Sequence, residues 1–176
     1  MLRTRRLLAA ALLAVLMLTG CTTPASPTPP PPSPEPTPVF ASDEEALAAA
    51  EEAYAAYIAT VDAILRDGGS SPERLQPLVA ADLYERELAG FEEMSSKGWR
   101  GVGQRTFELT LQQYSNLDIV VYSCENVSAT DVVDSSGTSV VSGDRPDTYL
   151  FEVGISDESG RWLISSKEVW QGDSAC

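Results

Sequence analysis

The chain contains no histidine. That absence removes Ser-His and Cys-His nucleophile systems, imidazole zinc sites and the commonest general base. Basic residues are scarce too: 12 Lys and Arg stand against 26 Asp and Glu in 176 residues, a net charge of −14. Arg3, Arg5 and Arg6 lie at the start, so from residue 21 onward nine basic residues face the same 26 acids and the balance is −17. Nucleic acid is excluded as a partner, because neutralising phosphates needs clustered Lys and Arg. Electrostatic docking on anionic lipid or anionic wall polymer is disfavoured for the same reason. Long apolar runs are also missing. The uninterrupted stretch Leu7–Leu18 has twelve residues; at ~1.5 Å each it covers about 18 Å, short of a hydrocarbon core of about 30 Å. A resident spanning helix is the weaker reading.

Other absences narrow the field further. No period of repeat length is present. Gly101-Val102-Gly103 follows a helical pattern rather than a strand and lacks a third glycine, so it reads as a connecting loop and not a dinucleotide fingerprint. The acidic turns near Asp131, Asp134, Asp144, Asp147 and Asp157 lack the alternating ligands and distal Glu of a calcium loop. They read as solvated turn carboxylates. No cofactor or metal is expected.

What the chain does have begins with a cationic start, an apolar middle and small residues before Cys21, the layout of a secretory signal. Leu18-Thr19-Gly20-Cys21 resembles the lipobox of bacterial lipoproteins. The resemblance implies diacylglyceryl transfer to the Cys21 thiol, cleavage after Gly20 and acylation of the new amine. A thiol is the one good nucleophile in that stretch. Each buried methylene contributes about 0.8 kcal/mol, so two or three chains hold where one would not. The expected organisation is a signal peptide over 1–20, a lipidated cysteine with a stalk over 21–39, and a domain over 40–176. The expected location is the outer face of the cell membrane, anchored through acyl chains. The sequon Asn126-Val127-Ser128 is discounted in a bacterial chain.

Nine of the seventeen residues Thr22–Pro38 are proline. Such a segment builds no core and favours extended polyproline II. At ~3.1 Å per residue it is a semi-rigid spacer of about 50 Å. With Cys21 assigned to lipid, Cys124 and Cys176 remain as an even pair. Outside the cytoplasm a disulfide between them is expected, two free thiols being the alternative. Closing a loop of about 50 residues would contribute on the order of 4 kcal/mol.

The domain opens with Ser42 and Glu45 in a capping box. Ala46, Ala49, Ala53, Tyr54, Tyr57, Val61, Ile64 and Leu65 recur at helical spacing, with Glu51, Glu52, Asp62 and Arg66 largely on the other side. Gly68-Gly69 ends this helix; Ser71-Pro72 starts a short one, and Leu83, Tyr84, Leu88, Phe91 and Met94 mark a third over Ala81–Lys97. After Gly103 the period becomes two. Strands are predicted around Thr106–Gln112, Leu117–Cys124, Val127–Asp134, Thr138–Val141, Thr148–Ser156 and Arg161–Trp170. Helices followed by antiparallel strands read as α+β, a curved sheet with helices on its inner face.

At this point the chain resembles the NTF2-like (cystatin-like roll) domains, particularly those that end small actinobacterial lipoproteins. The resemblance covers Ser42 to Cys176, through Ala53-Tyr54-Ala55-Ala56-Tyr57, Asp67-Gly68-Gly69, Lys97-Gly98-Trp99 and Trp170-Gln171-Gly172. It implies a pocket between the concave sheet face and the first helix, which Tyr54, Tyr57, Trp99, Tyr122 and Trp162 could line; ordinary core is the competing reading of these aromatics. It also implies pairing of two copies through the outer sheet face. A buried carboxylate such as Asp62 with a tyrosine would run proton-transfer chemistry as in isomerases of this fold, although Asp62 sits on the more polar helix face. The strand pair that enzymatic relatives often insert before the third helix is not found. The resulting expectation is a non-catalytic, lipid-anchored binding or interaction domain whose partner is an envelope protein or a small apolar ligand. The alternatives are a pocket enzyme of isomerase or dehydratase type and a structural envelope lipoprotein.

Overall fold

The computed structural model describes residues 39–172 and Cys176; the signal segment, Cys21 and the stalk as far as residue 38 lie outside the described residues. Helix α1 spans Asp43–Arg66, a 3-10 segment Pro72–Leu78, and helix α2 Ala81–Lys97. Six strands follow: β1 Arg100–Gly103, β2 Thr106–Tyr114, β3 Asp118–Asn126, β4 Thr130–Val133, β5 Thr148–Asp157 and β6 Trp162–Val169. They form a four-stranded antiparallel sheet in the order β2-β3-β5-β6 and a two-stranded ribbon of β1 with β4.

Helix α1 starts where the capping box places it. The Ser42 hydroxyl accepts from the Glu45 N–H at 3.3 Å, while the Glu45 carboxylate accepts from the Ala41 N–H at 2.7 Å. One orphan donor of the first turn is thereby satisfied, and the residue before the cap is tied back to the helix. At the other end the Gly69 N–H donates to the Ile64 carbonyl at 2.9 Å. Gly69 has φ +80°, and a Cβ there would lie 2.1 Å from the Phe91 carbonyl oxygen, so only glycine lets α1 end against α2.

Strand alternation sorts the sheet into two faces. Ile119 and Val121 of β3 face inward beside Val153 and Ile155 of β5, all with no exposed surface. They pack on Tyr54, Tyr57, Ile58, Val61 and Ile64 of α1, with Leu83 and Phe91 of α2 closing one side. Each such aliphatic or aromatic side chain contributes roughly 1.5–3 kcal/mol on burial. Ala46 and Ala50 are fully buried as well, and their small size lets α1 approach the sheet closely. The chain enters this body at Phe40, whose ring packs 5.7 Å from Tyr114 and 5.2 Å from Trp162, while the Val39 N–H donates to Asn116 Oδ1 at 3.0 Å.

Three expectations need correction. Gly101-Val102-Gly103 is no loop but strand β1, paired antiparallel to β4 from Arg100↔Val133 to Gly103↔Thr130. Gly103 has φ +81°, and a Cβ on it would lie 1.9 Å from the Ala129 carbonyl oxygen, which is why glycine stands there. Thr138–Val141 forms only the isolated bridge Val133↔Ser139. Asp134 Oδ1 instead accepts from the N–H groups of Ser136 and Thr138 and from the Ser136 hydroxyl, winding the segment into a turn. Asp62, assigned to the polar face of α1, is buried because Arg105 reaches across to it.

Cys124 and Cys176 are joined by a disulfide with their Cα atoms 5.6 Å apart, which ties the C-terminal residue to the middle of the sheet. Among the described residues no helix is long and apolar enough to cross a membrane.

Candidate functional site

The inner face of β3 continues from Ile119 and Val121 to Ser123 and Glu125, so strand geometry alone carries a carboxylate into the interior. Glu125 is only 1% exposed. The Tyr54 hydroxyl of α1 donates to Oε1, and Lys167 Nζ of β6 stands 2.7 Å from that same oxygen. Arg105, in the short link between β1 and β2, places Nη1 3.1 Å from Oε2. The same guanidinium donates through Nε to Asp62 Oδ1 at 2.8 Å. Arg105 thus bolts α1 to the sheet.

Lys167 lies opposite Val153 on the inner face and is flanked by rings, 4.1 Å from the centre of Phe151 and 5.6 Å from that of Tyr57. Tyr57 in turn donates to Glu87 of α2 at 2.6 Å. Tyr54 and Tyr57 stack 5.6 Å apart, and Phe107 meets Tyr54 edge-on at 5.0 Å.

These contacts fix the protonation states. Burial alone would raise the Glu125 carboxyl, but Lys167 and Arg105 outweigh it and hold it below the usual range. Burial pulls the Lys167 ammonium below its ordinary value, with Glu125 opposing. For Arg105 burial pulls downward, yet Glu125 and Asp62 keep it above its already high value. Burial raises both tyrosines, reinforced by Glu125 at Tyr54 and by Glu87 at Tyr57. A general base needs an uncommitted lone pair and a pKa near the working pH. Glu125 accepts from three side chains and titrates in the opposite direction.

The five aromatics singled out as pocket lining are not brought to one place. Tyr54 and Tyr57 meet in the interior. Tyr122 falls between two inward residues of β3 and so points to the outer face, 4.9 Å from Trp170. Trp162 stacks on Phe40 at the entry end, and Trp99 lies under Lys97 Nζ at 4.2 Å just beyond α2. The residues that sequence reasoning missed are Glu125, Arg105 and Lys167. The signal for Glu125 was present: it continues the i, i+2 series of Ile119, Val121 and Ser123.

Beside this network a cleft of about 180 Å³ opens between the last turns of α1 and the β1–β4 ribbon. Leu65, Val102 and Val132 supply apolar wall, and Arg66, Arg105 and Arg145 reach it with charge. Among the described residues no cluster of three or more His, Cys, Asp or Glu side chains is placed to hold a metal ion.

Neither a family model nor a curated protein matches the chain. Among solved structures it is similar to the intermembrane-space region of the chloroplast protein ARC6, with a TM-score of 0.52 and 14% identity over 68% of this chain and 92% of that one. It is also similar to a cystatin-like-fold protein of unknown function from Nostoc punctiforme (TM-score 0.44, 14% identity, 73% and 91% covered). Aln2 from a Streptomyces species is a third (TM-score 0.47, 16% identity, 73% and 91% covered). At these identities the likeness is one of fold. Helices packed against antiparallel sheets, with no closed barrel among the described residues, give this chain an α+β fold of the cystatin-like, NTF2-like roll kind.

Proposed function

We propose that the chain is an exported lipoprotein carrying a non-catalytic binding domain, held outside the cell membrane by acyl chains on Cys21 and spaced from it by the proline-rich stalk. The anchoring half rests on Leu18-Thr19-Gly20-Cys21. The non-catalytic half rests on one observation, that the interior acid Glu125 is fully committed to Lys167, Arg105 and Tyr54. Where a pocket of this fold would keep a reactive acid exposed to substrate, this chain spends it on holding α1 to the sheet. Binding is then left to the outside of the roll.

Detergent phase partitioning of the native protein and of Cys21→Ala tests the anchor. The native chain is expected in the detergent phase and the variant in the aqueous phase; a variant that still partitions with detergent ends the proposal. Crosslinking in intact cells tests the binding half, with a specific envelope partner expected.

A pocket enzyme of isomerase or dehydratase type draws support from the Tyr54–Glu125 pair, a tyrosine and a carboxylate in the interior. It requires a substrate to displace Lys167 or Arg105 from Glu125. A Glu125→Gln protein that still captures the same partner argues for binding over catalysis.

A further inference from the structure

We infer that the cleft between the end of α1 and the β1–β4 ribbon is a site for the carboxylate of a small organic acid, gripped by Arg66 and Arg145. The inference rests on the reading of this domain as a binding domain and names its ligand class.

Charge carries the argument first. Beyond residue 20 the chain has nine basic side chains, and three of them line this one cleft. Arg105 is spent on Asp62 and Glu125. Arg145 is not. Its Nη2 donates to the carbonyl oxygens of Val127 at 2.9 Å and Thr130 at 2.8 Å, and its Nη1 to Thr130 Oγ1 at 3.3 Å. All three acceptors are neutral, so the guanidinium is fixed in place while its charge stays unpaired among the described residues, with two of its five N–H donors left over. Arg66, at the C-terminal end of α1, makes no ion pair with a described residue. Asp131 also reaches the cleft, but its Oδ1 is taken by the Val132 N–H and the Ser139 hydroxyl. Arg66 and Arg145 against Asp131 leave one net positive charge, in a chain whose overall balance is strongly negative.

Shape and wall chemistry narrow the ligand. Guanidinium groups favour planar carboxylates and phosphates, where their forked donors match the oxygens. The cleft, about 180 Å³, is smaller than the ~300–1,000 Å³ of ordinary small-molecule sites. It has room for an end group with a short tail and not for a nucleotide or large cofactor. Leu65, Val102, Val127 and Val132 offer that tail an apolar wall, which favours an organic acid over bare inorganic phosphate.

Calorimetric titration of the full chain in detergent micelles with butyrate, butyramide and inorganic phosphate tests the site. Saturable binding of butyrate is expected, with butyramide silent, phosphate weaker, and added salt reducing the affinity. Arg66→Gln, an exposed change at a helix end that leaves the fold intact, is expected to weaken butyrate about tenfold. Equal binding of butyramide, phosphate as tight as butyrate, or an affinity unchanged in Arg66→Gln overturns the inference. Failure to bind butyrate while the crosslinked envelope partner is retained removes this site and leaves the binding domain standing.

Discussion

Lys167 and Glu125 meet 2.7 Å apart on the inner face of the sheet, and the ammonium rests 4.1 Å above the Phe151 ring. Neither charge is tolerable there alone. Arg105 reaches the other oxygen of the same carboxylate, so three elements that are distant in sequence close on one acid. Removing one member exposes the cost of the others.

Lys167→Met leaves Glu125 buried with a single cation. Breaking a buried pair in this way costs about 3–5 kcal/mol, read as a lower urea midpoint at unchanged slope. The double variant Lys167→Met with Glu125→Gln removes both charges and is expected to recover part of that loss. Additive losses in the two single variants would show that the pair is not coupled.

Acid should weaken the fold through Glu125. Its folded-state carboxyl lies below the usual range, because Lys167 and Arg105 outweigh the upward push of burial. A depressed folded value contributes stability that is present above the unfolded value, about 4.3, and lost as pH falls through the folded value. Urea midpoints of the native protein should therefore fall below about pH 4. Glu125→Gln should start lower and show a flatter acid limb.

Base acts on the tyrosines in the opposite sense. Burial, with Glu125 at Tyr54 and Glu87 at Tyr57, raises both hydroxyls above their ordinary value. A raised folded value gives stability that is whole below the unfolded value, about 10, and is lost as pH climbs toward the folded one. Ultraviolet titration of phenolate should show a late component, from Tyr54 and Tyr57, that appears only as the protein unfolds. Its absence would contradict the burial of this pair.

Cys176→Ser opens a loop closed between positions 124 and 176. The chain-entropy cost is about 4 kcal/mol, seen as a lower thermal midpoint under non-reducing conditions. The native protein in reductant should match the variant. A variant as stable as the native protein would mean that the bridge closes an already ordered end.

The helices were legible because each carries its own punctuation: Ser42 and Glu45 at the head of α1, Gly69 at its foot, Gly98 after α2. The long strands were legible through alternation, since Phe107, Leu109 and Leu111 do face inward against Glu125, Ser123 and Val121. Strand β1 was not, because four residues with glycine at two positions carry no alternation, and their strand character comes from β4. The charged interior was hidden for a related reason. Alternation puts Glu125 in the inward series of Ile119 and Val121, but a charged side chain argues against the interior, and only its neutralisation by Lys167, which depends on long-range pairing, makes that position stable. Asp62 looked exposed for want of Arg105, 43 positions away.

Phe40 seats the incoming chain against Tyr114 and Trp162, at the end of the roll where α1 begins. Helix α1 then runs 24 residues, about 36 Å, before it delivers Arg66 to the cleft. Entry point and Arg66 stand at opposite ends of one helix. A pull arriving at Phe40 would therefore act a full helix length away from Arg66 and the cleft beside it.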